Sequence, residues 1–136
     1  MNQDPGQELA RLARSLPRQL GQVARLSIGR LAQNVIQDTP VRSGALRGAW
    51  RAGVNRAPAG TGRPDPGGQA TAREAAAAAA HLNWGDTFYL VNRLPYARAV
   101  EHGSSQQAPR GMLRLNAARF SQLVDQALGR LGLGSG

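Results

Sequence analysis

Glu101, His102, Ser104 and Ser105 stand within five residues of one another, and an acid, an imidazole and a hydroxyl are the ingredients of nucleophilic acyl transfer. Their spacing argues against that chemistry. A triad is assembled in space from separate elements, and neighbouring residues of a helix do not face each other. Neither serine sits in a Gly-x-Ser-x-Gly elbow, and the stretch GTGRPDPGG lacks the Lys-Ser/Thr ending of a phosphate-cradling loop. His81 and His102 are twenty-one residues apart with no carboxylate pair at ligand spacing, and the chain has no Cys. We therefore expect no catalytic residues, no metal site, no cofactor and no enzyme. Glu101 still needs a partner, because a carboxylate in the last turn of a helix is opposed by the macrodipole. Arg47 is the expected one.

The elements that position these residues follow from periodicity. Leu9, Leu12, Leu16, Leu20, Val23, Ser27, Leu31 and Val35 recur at three- and four-residue spacing and predict a long N-terminal helix over 8–38. Pro17 predicts a break, with a short fraying piece before it and a main helix from about Ser15 or Leu16. Arg11, Arg14, Arg18 and Arg25 share one side of that helix and read first as a solvated face, the sharper alternative being a stripe aimed at an acidic neighbour or at DNA. Thr39-Pro40 ends it. Leu46, Trp50, Ala52 and Val54 predict a half-buried strand near 46–55, and DTFYLV a second near 86–91. Between them lies RAPAGTGRPDPGGQA, residues 56–70, too rich in Pro and Gly for regular structure and expected to be a flexible insert. Thr71 and Glu74 match a capping box, and the alanine run after them predicts a helix near 72–82. Pro95 opens and Gly103 closes a short helix. The stripe Leu113, Ala117, Phe120, Val124, Ala127, Leu128 and Leu131 predicts an amphipathic helix near 112–130. The fold expected is α+β in a single domain, 1–136, with a small antiparallel sheet and frayed ends at 1–7 and 132–136.

Composition narrows the partners. Seventeen arginines, with no lysine, oppose eight acids for a formal net charge of +9, which favours acidic neighbours or nucleic acid. Only two Trp, two Tyr and two Phe are present, so the core is modest and association with other chains is expected to contribute to stability. No stretch approaches a membrane span, and the N-terminal residues do not read as a secretory signal, so a cytoplasmic site of synthesis and no membrane partner are expected.

Two blocks carry a resemblance. "TPVRSGALRGAW", residues 39–50, and "VNRLPYARAVEHGSSQQAPRGML", residues 91–113, resemble a family of small head-tail junction proteins of long-tailed double-stranded DNA bacteriophages, the tail-component, neck or tail-completion proteins. The first block matches through Pro40, Val41, Gly44, Leu46, Arg47 and Trp50. The second matches through Asn92, Pro95, Tyr96, Ala97, Glu101, Gly103, Ser105, Gln107, Ala108, Pro109, Gly111 and Met112. Arg42 stands where the family often has an acid, and His102 where it often has an aromatic. The resemblance covers roughly 35–125. It implies a structural virion protein: a ring, six subunits being the expected number, that completes the tail and docks it on the head. Its neighbours would be neck, head-closure and tail-tube proteins, with DNA passing through the ring without sequence-specific binding. In that setting Pro95, Gly103 and Pro109 fix the path of the turn, and Tyr96, Met112 and Leu113 anchor it in the core or against the next subunit.

Two other classes compete. A basic nucleic-acid-binding module of phage or prophage origin explains the charge, yet no helix-turn-helix and no aromatics interleaved with basic residues are present. A small toxin or modification enzyme would need a pocket of perturbed titrating groups.

Overall fold

The computed structural model describes residues 5–102 and 111–133, apart from the side chain of Leu12. Helix α1, Pro5–Asp38, runs for 34 residues, about 51 Å at 1.5 Å per residue. It does not break at Pro17. The hydrogen bond that proline cannot donate belongs to the carbonyl of Ala13, and both residues are exposed, so water can satisfy that group. Residues 5–7, expected to fray, are part of the same helix. Only the second half of α1 is packed: among the described residues no side chain before Gly21 is buried, whereas Ala32, Val35 and Ile36 are at most 1% exposed.

After Thr39 the chain reverses through Gly44, whose φ of 85° suits a residue without Cβ, into a single turn, α2, Ala45–Gly48. Strand β1 follows at Trp50–Val54. The strand expected from residue 46 thus starts four residues late. Leu46 and Trp50 are both buried, but their spacing of four is that of a helical turn, and Gly48 between them has no side chain with which to continue a strand face. Strand β2, Phe88–Asn92, begins two residues later than expected and pairs antiparallel with β1, Trp50 opposite Asn92 and Val54 opposite Phe88. The far end of this two-stranded sheet is closed by side chains: Asn55 Nδ2 donates to Asp86 at 3.0 Å, and Thr87 N–H donates to Asn55 Oδ1 at 2.9 Å.

The insert between β1 and helix α3 is irregular but tied to the body. Asp65 N–H donates to the Gly44 carbonyl at 2.9 Å, and a Cβ on Gly48 would collide with the backbone of Arg63, so this close approach requires glycine. Helix α3, Gln69–Ala79, starts and stops three residues before the expected 72–82. The expected capping box does not form. Asp65 reaches from the insert and accepts from Thr71 N–H at 2.9 Å and from the Thr71 hydroxyl at 2.8 Å, while Glu74 lies 3.4 Å from Arg51. Those two bonds, with further backbone donors at Gly68 and Ala70, hold the Asp65 carboxyl below its usual range against a small opposing desolvation.

Helix α4, Ala97–Glu101, is a short segment after β2, and the C-terminal helix is two pieces, α5, Leu113–Ala118, and α6, Phe120–Arg130, interrupted at Arg119. In α4 the buried residues are Ala97 and Val100, and from Met112 onward the buried side chains are Met112, Asn116, Leu123 and Ala127. The expected stripe was rotated by about one residue because it passed over Asn116, a polar side chain that is buried because it is satisfied: Nδ2 donates to the Met112 carbonyl at 2.8 Å and to Asp38 Oδ2 at 3.0 Å. Both α3 and α6 pack along α1, and α3 also covers β1. The result is the α+β arrangement expected, mostly helical, with one apolar cluster formed by Ala32, Val35, Ile36, Leu46, Trp50 and Met112 among others.

Trp50 is the largest side chain of that cluster. Its indole N–H donates to Thr39 Oγ1 at 2.8 Å, and Thr39 in turn donates to the Val35 carbonyl at 2.7 Å. Trp50→Phe removes the bond and leaves a small void, so we expect a loss of about 1–3 kcal/mol in unfolding free energy, read by denaturant titration followed by far-ultraviolet circular dichroism.

Candidate functional site

The two motif blocks, forty residues apart, meet around the end of α1. Arg47 projects from α2 back over the helix terminus, where Nη2 donates to the carbonyls of Gln37 and Thr39, each at 2.9 Å, and Nη1 to that of Pro66 at 2.8 Å. The last carbonyls of a helix have no intrahelical donor, and a guanidinium satisfies two of them while also holding the insert. Asn92, at the end of β2, donates to the Leu46 carbonyl at 2.8 Å and accepts from Leu94 N–H at 3.2 Å, which turns the chain into α4. Trp50 and Met112 are core, 3% and 1% exposed. Pro40 is half-buried, and Gly44 and Leu46 are buried in the turn into α2.

Glu101 does not pair with Arg47, whose guanidinium is committed to the carbonyls just named. Its carboxylate instead receives the first N–H groups of α5: Met112 at 2.8 Å and Leu113 at 2.7 Å on Oε1, and Arg114 at 2.9 Å on Oε2. The cation beside it is Arg114, with Nε 3.1 Å from Oε2 and Nη2 on the Glu101 carbonyl. An acid at the end of one helix is therefore the anion at the start of the next, where the dipole favours it. Gly111, at φ 85°, lies so close to Glu101 that a Cβ would strike its backbone carbonyl and carboxylate. Partial burial pushes the Glu101 carboxyl up, but the N–H groups of Leu113, Arg114 and Met112, together with the Arg114 side chain, outweigh this and hold it below its ordinary value. The sequence signal for this contact was the unexplained acid; the partners could not be read because they stand eleven to thirteen positions further on, at Met112, Leu113 and Arg114, beyond any helical spacing from Glu101.

Gly103, Gln107 and Pro109, with Ser104 and Ser105, lie outside the described residues. His102 is exposed at the end of α4. Pro95 is exposed too, and Tyr96 and Leu113 are 48% and 40% exposed, so of the three expected anchors only Met112 enters this chain's core. The Arg face of α1 is also divided. Arg11, Arg14 and Arg18 are exposed, with Arg11 paired to Glu8, but Arg25 is half-buried and donates to the Leu82 carbonyl at 2.8 Å. Among the described residues, no His, Asp and Glu side chains gather in a group of three that could hold a metal ion, and no helix is long and apolar enough to cross a membrane. Chemically, the arrangement satisfies helix ends and fixes a turn. No family model, curated protein or solved structure matches the chain.

Two outcomes test this construction. Arg47→Lys keeps the charge but loses the planar fork that reaches three carbonyls, and we expect it to lower unfolding free energy by about 1–3 kcal/mol in denaturant titration. Glu101→Gln should cost a similar amount at neutral pH, about 1–3 kcal/mol. Because the folded carboxyl titrates below its ordinary value of 4.5, its contribution is complete above that value and is lost as pH falls through the folded one. The wild-type advantage over Glu101→Gln, measured from pH 7 downward, should therefore stay level and then shrink below about pH 4.5.

Proposed function

We propose that this chain is a structural virion protein of a tailed bacteriophage, forming a ring at the head-tail junction that joins the tail to the DNA-filled head. The reading rests on the resemblance of the 39–50 and 91–113 blocks, and one structural observation supports it more than any other. The first four turns of α1 extend past the body with Leu9 69% and Leu16 53% exposed. An isolated helical segment of that length is marginal in water, and apolar residues at i and i+7 along it ask for a neighbour. A protomer completed by the next copy of itself supplies one, and closed symmetry then gives a ring. The motif residues fit a non-enzymatic role, since Arg47, Trp50, Asn92 and Glu101 are spent on carbonyls, a hydroxyl and helix N–H groups. Exposed Tyr96 and Leu113 are then candidates for contact with the adjacent subunit.

The test is the mass of the protein by light scattering after size exclusion, across concentration and salt, with and without duplex DNA. We expect a ring of about six chains that ignores DNA. Burying one leucine contributes about 1.5–3 kcal/mol, so Leu9→Ala/Leu16→Ala should weaken association at least a hundredfold and leave a folded smaller species. A wild-type monomer that binds duplex DNA with a steep salt slope would overturn the reading in favour of a nucleic-acid-binding module.

A further inference from the structure

Helices α3 and α6 lie on α1 side by side and leave between them an open groove of about 510 Å³. Its floor is apolar, with Leu26 of α1, Ala76 of α3 and Leu123 of α6. Its rim carries Arg25, Arg30 and Arg130, and no acid lines it. The ion pairs among the described residues lie elsewhere, at Arg11–Glu8, Arg51–Glu74 and Arg114–Glu101. Arg25 is anchored on the Leu82 carbonyl, which holds one charge fixed at the groove's edge, while Arg30 and Arg130 are exposed.

From these features we infer that the groove between α3 and α6 is the docking site for an acidic amphipathic helix of a different protein. A helix laid there would become the fourth around an incomplete set of three, with its apolar face on Leu26, Ala76 and Leu123. The alanines on the α3 wall allow its backbone to come close. Its carboxylates, flanking the apolar face, would meet the arginines of the rim, which supply orientation and speed of association. Charge decides against a second copy. The exposed segment of α1 is amphipathic but carries Arg11, Arg14 and Arg18, so seating it in the groove would place arginine against arginine. Chemistry also decides against nucleic acid, since the groove has an aliphatic floor and no aromatic side chain on which a base could stack. The inference does not rest on the ring.

The probe is a short synthetic helix with leucines along one face and glutamates on both flanks, titrated by fluorescence anisotropy into the full-length protein. A scrambled peptide of the same composition is the control. We expect saturable binding that the scrambled peptide lacks. Arg30→Glu/Arg130→Glu should weaken it about tenfold or more, and Gln126→Trp, which fills the groove without changing charge, should weaken it comparably. Circular dichroism melts of both variants check that each is folded, and the three substitutions lie on exposed positions, Arg30 of α1 and Gln126 and Arg130 of α6. Absence of peptide binding overturns the inference. So does binding that Gln126→Trp leaves unchanged, which would place the peptide on charge elsewhere. If Gln126→Trp instead dissolves the protein's own oligomer, or if duplex DNA is the species whose binding the arginine variants remove, the groove is a self-interface or a phosphate site and the acidic-helix assignment is wrong.

Discussion

The buried hydroxyl of Thr39 is the point on which the rest of the chain turns. Oγ1 donates to the Val35 carbonyl and accepts from the Trp50 indole, and the carbonyl of the same residue accepts from Arg47. One residue thus closes the end of α1, fixes the largest core side chain, and holds the guanidinium that also reaches Pro66 in the insert. Thr39 is 1% exposed, so each of these groups would be costly to leave unpaired. Pro40 forces the chain out of the helical region at the one place where all of this can be assembled.

The second half of the fold depends on an equivalent device built from charge. The carboxylate of Glu101 serves α4 and α5 together, and Gly111 lets the returning chain approach it. With Asn92 on the Leu46 carbonyl, the two devices are joined through β1 and β2, which bring Trp50 and Met112 into one apolar cluster. A thin core with few aromatics is compensated by polar side chains that satisfy backbone groups at element ends. Asp65 on Thr71 and Asp86 on Asn83 N–H repeat the pattern at the surface. Here the motif residues are mostly the ones that let short elements end and reverse.

Much of this was legible in the sequence where the pattern is apolar and periodic. The packed half of α1, the two strands and the alanine helix follow from spacing, whereas the antiparallel sense of the pair is seen only in its register, Trp50 opposite Asn92 and Val54 opposite Phe88. What was not legible depends on polar groups finding distant partners. Asn116 reads as a surface residue until Asp38 and the Met112 carbonyl are placed beside it, and the C-terminal stripe shifts accordingly. Thr71 and Glu74 spell a capping box, yet an aspartate six residues upstream takes the cap because the insert carries it there. Glu101 was marked by its unfavourable position, but nothing in local spacing separates Arg47 from Arg114 as its partner. Pro17 misled in the opposite direction, since a helix interior proline is tolerated when no tertiary contact demands the lost bond.

The arginines divide into two populations, and the division bears on what surrounds this protein. Arg25, Arg47 and Arg93 donate to main-chain carbonyls of Leu82, of Gln37, Thr39 and Pro66, and of Gly60. This is work for a planar fork with several fixed donors, which a lysine point charge does less well. Because carbonyls are neutral, these contacts satisfy hydrogen bonds without cancelling charge. The whole chain has eight acids, and among the described residues three of them are committed to ion pairs with arginine, so most of the +9 remains on the surface. Each added copy brings the same excess, so self-association concentrates positive charge and raises its own electrostatic cost. An assembly of such subunits is therefore stabilised most by neighbours of opposite sign, and the groove between α3 and α6, basic at its rim and apolar at its floor, is where this chain presents both requirements together.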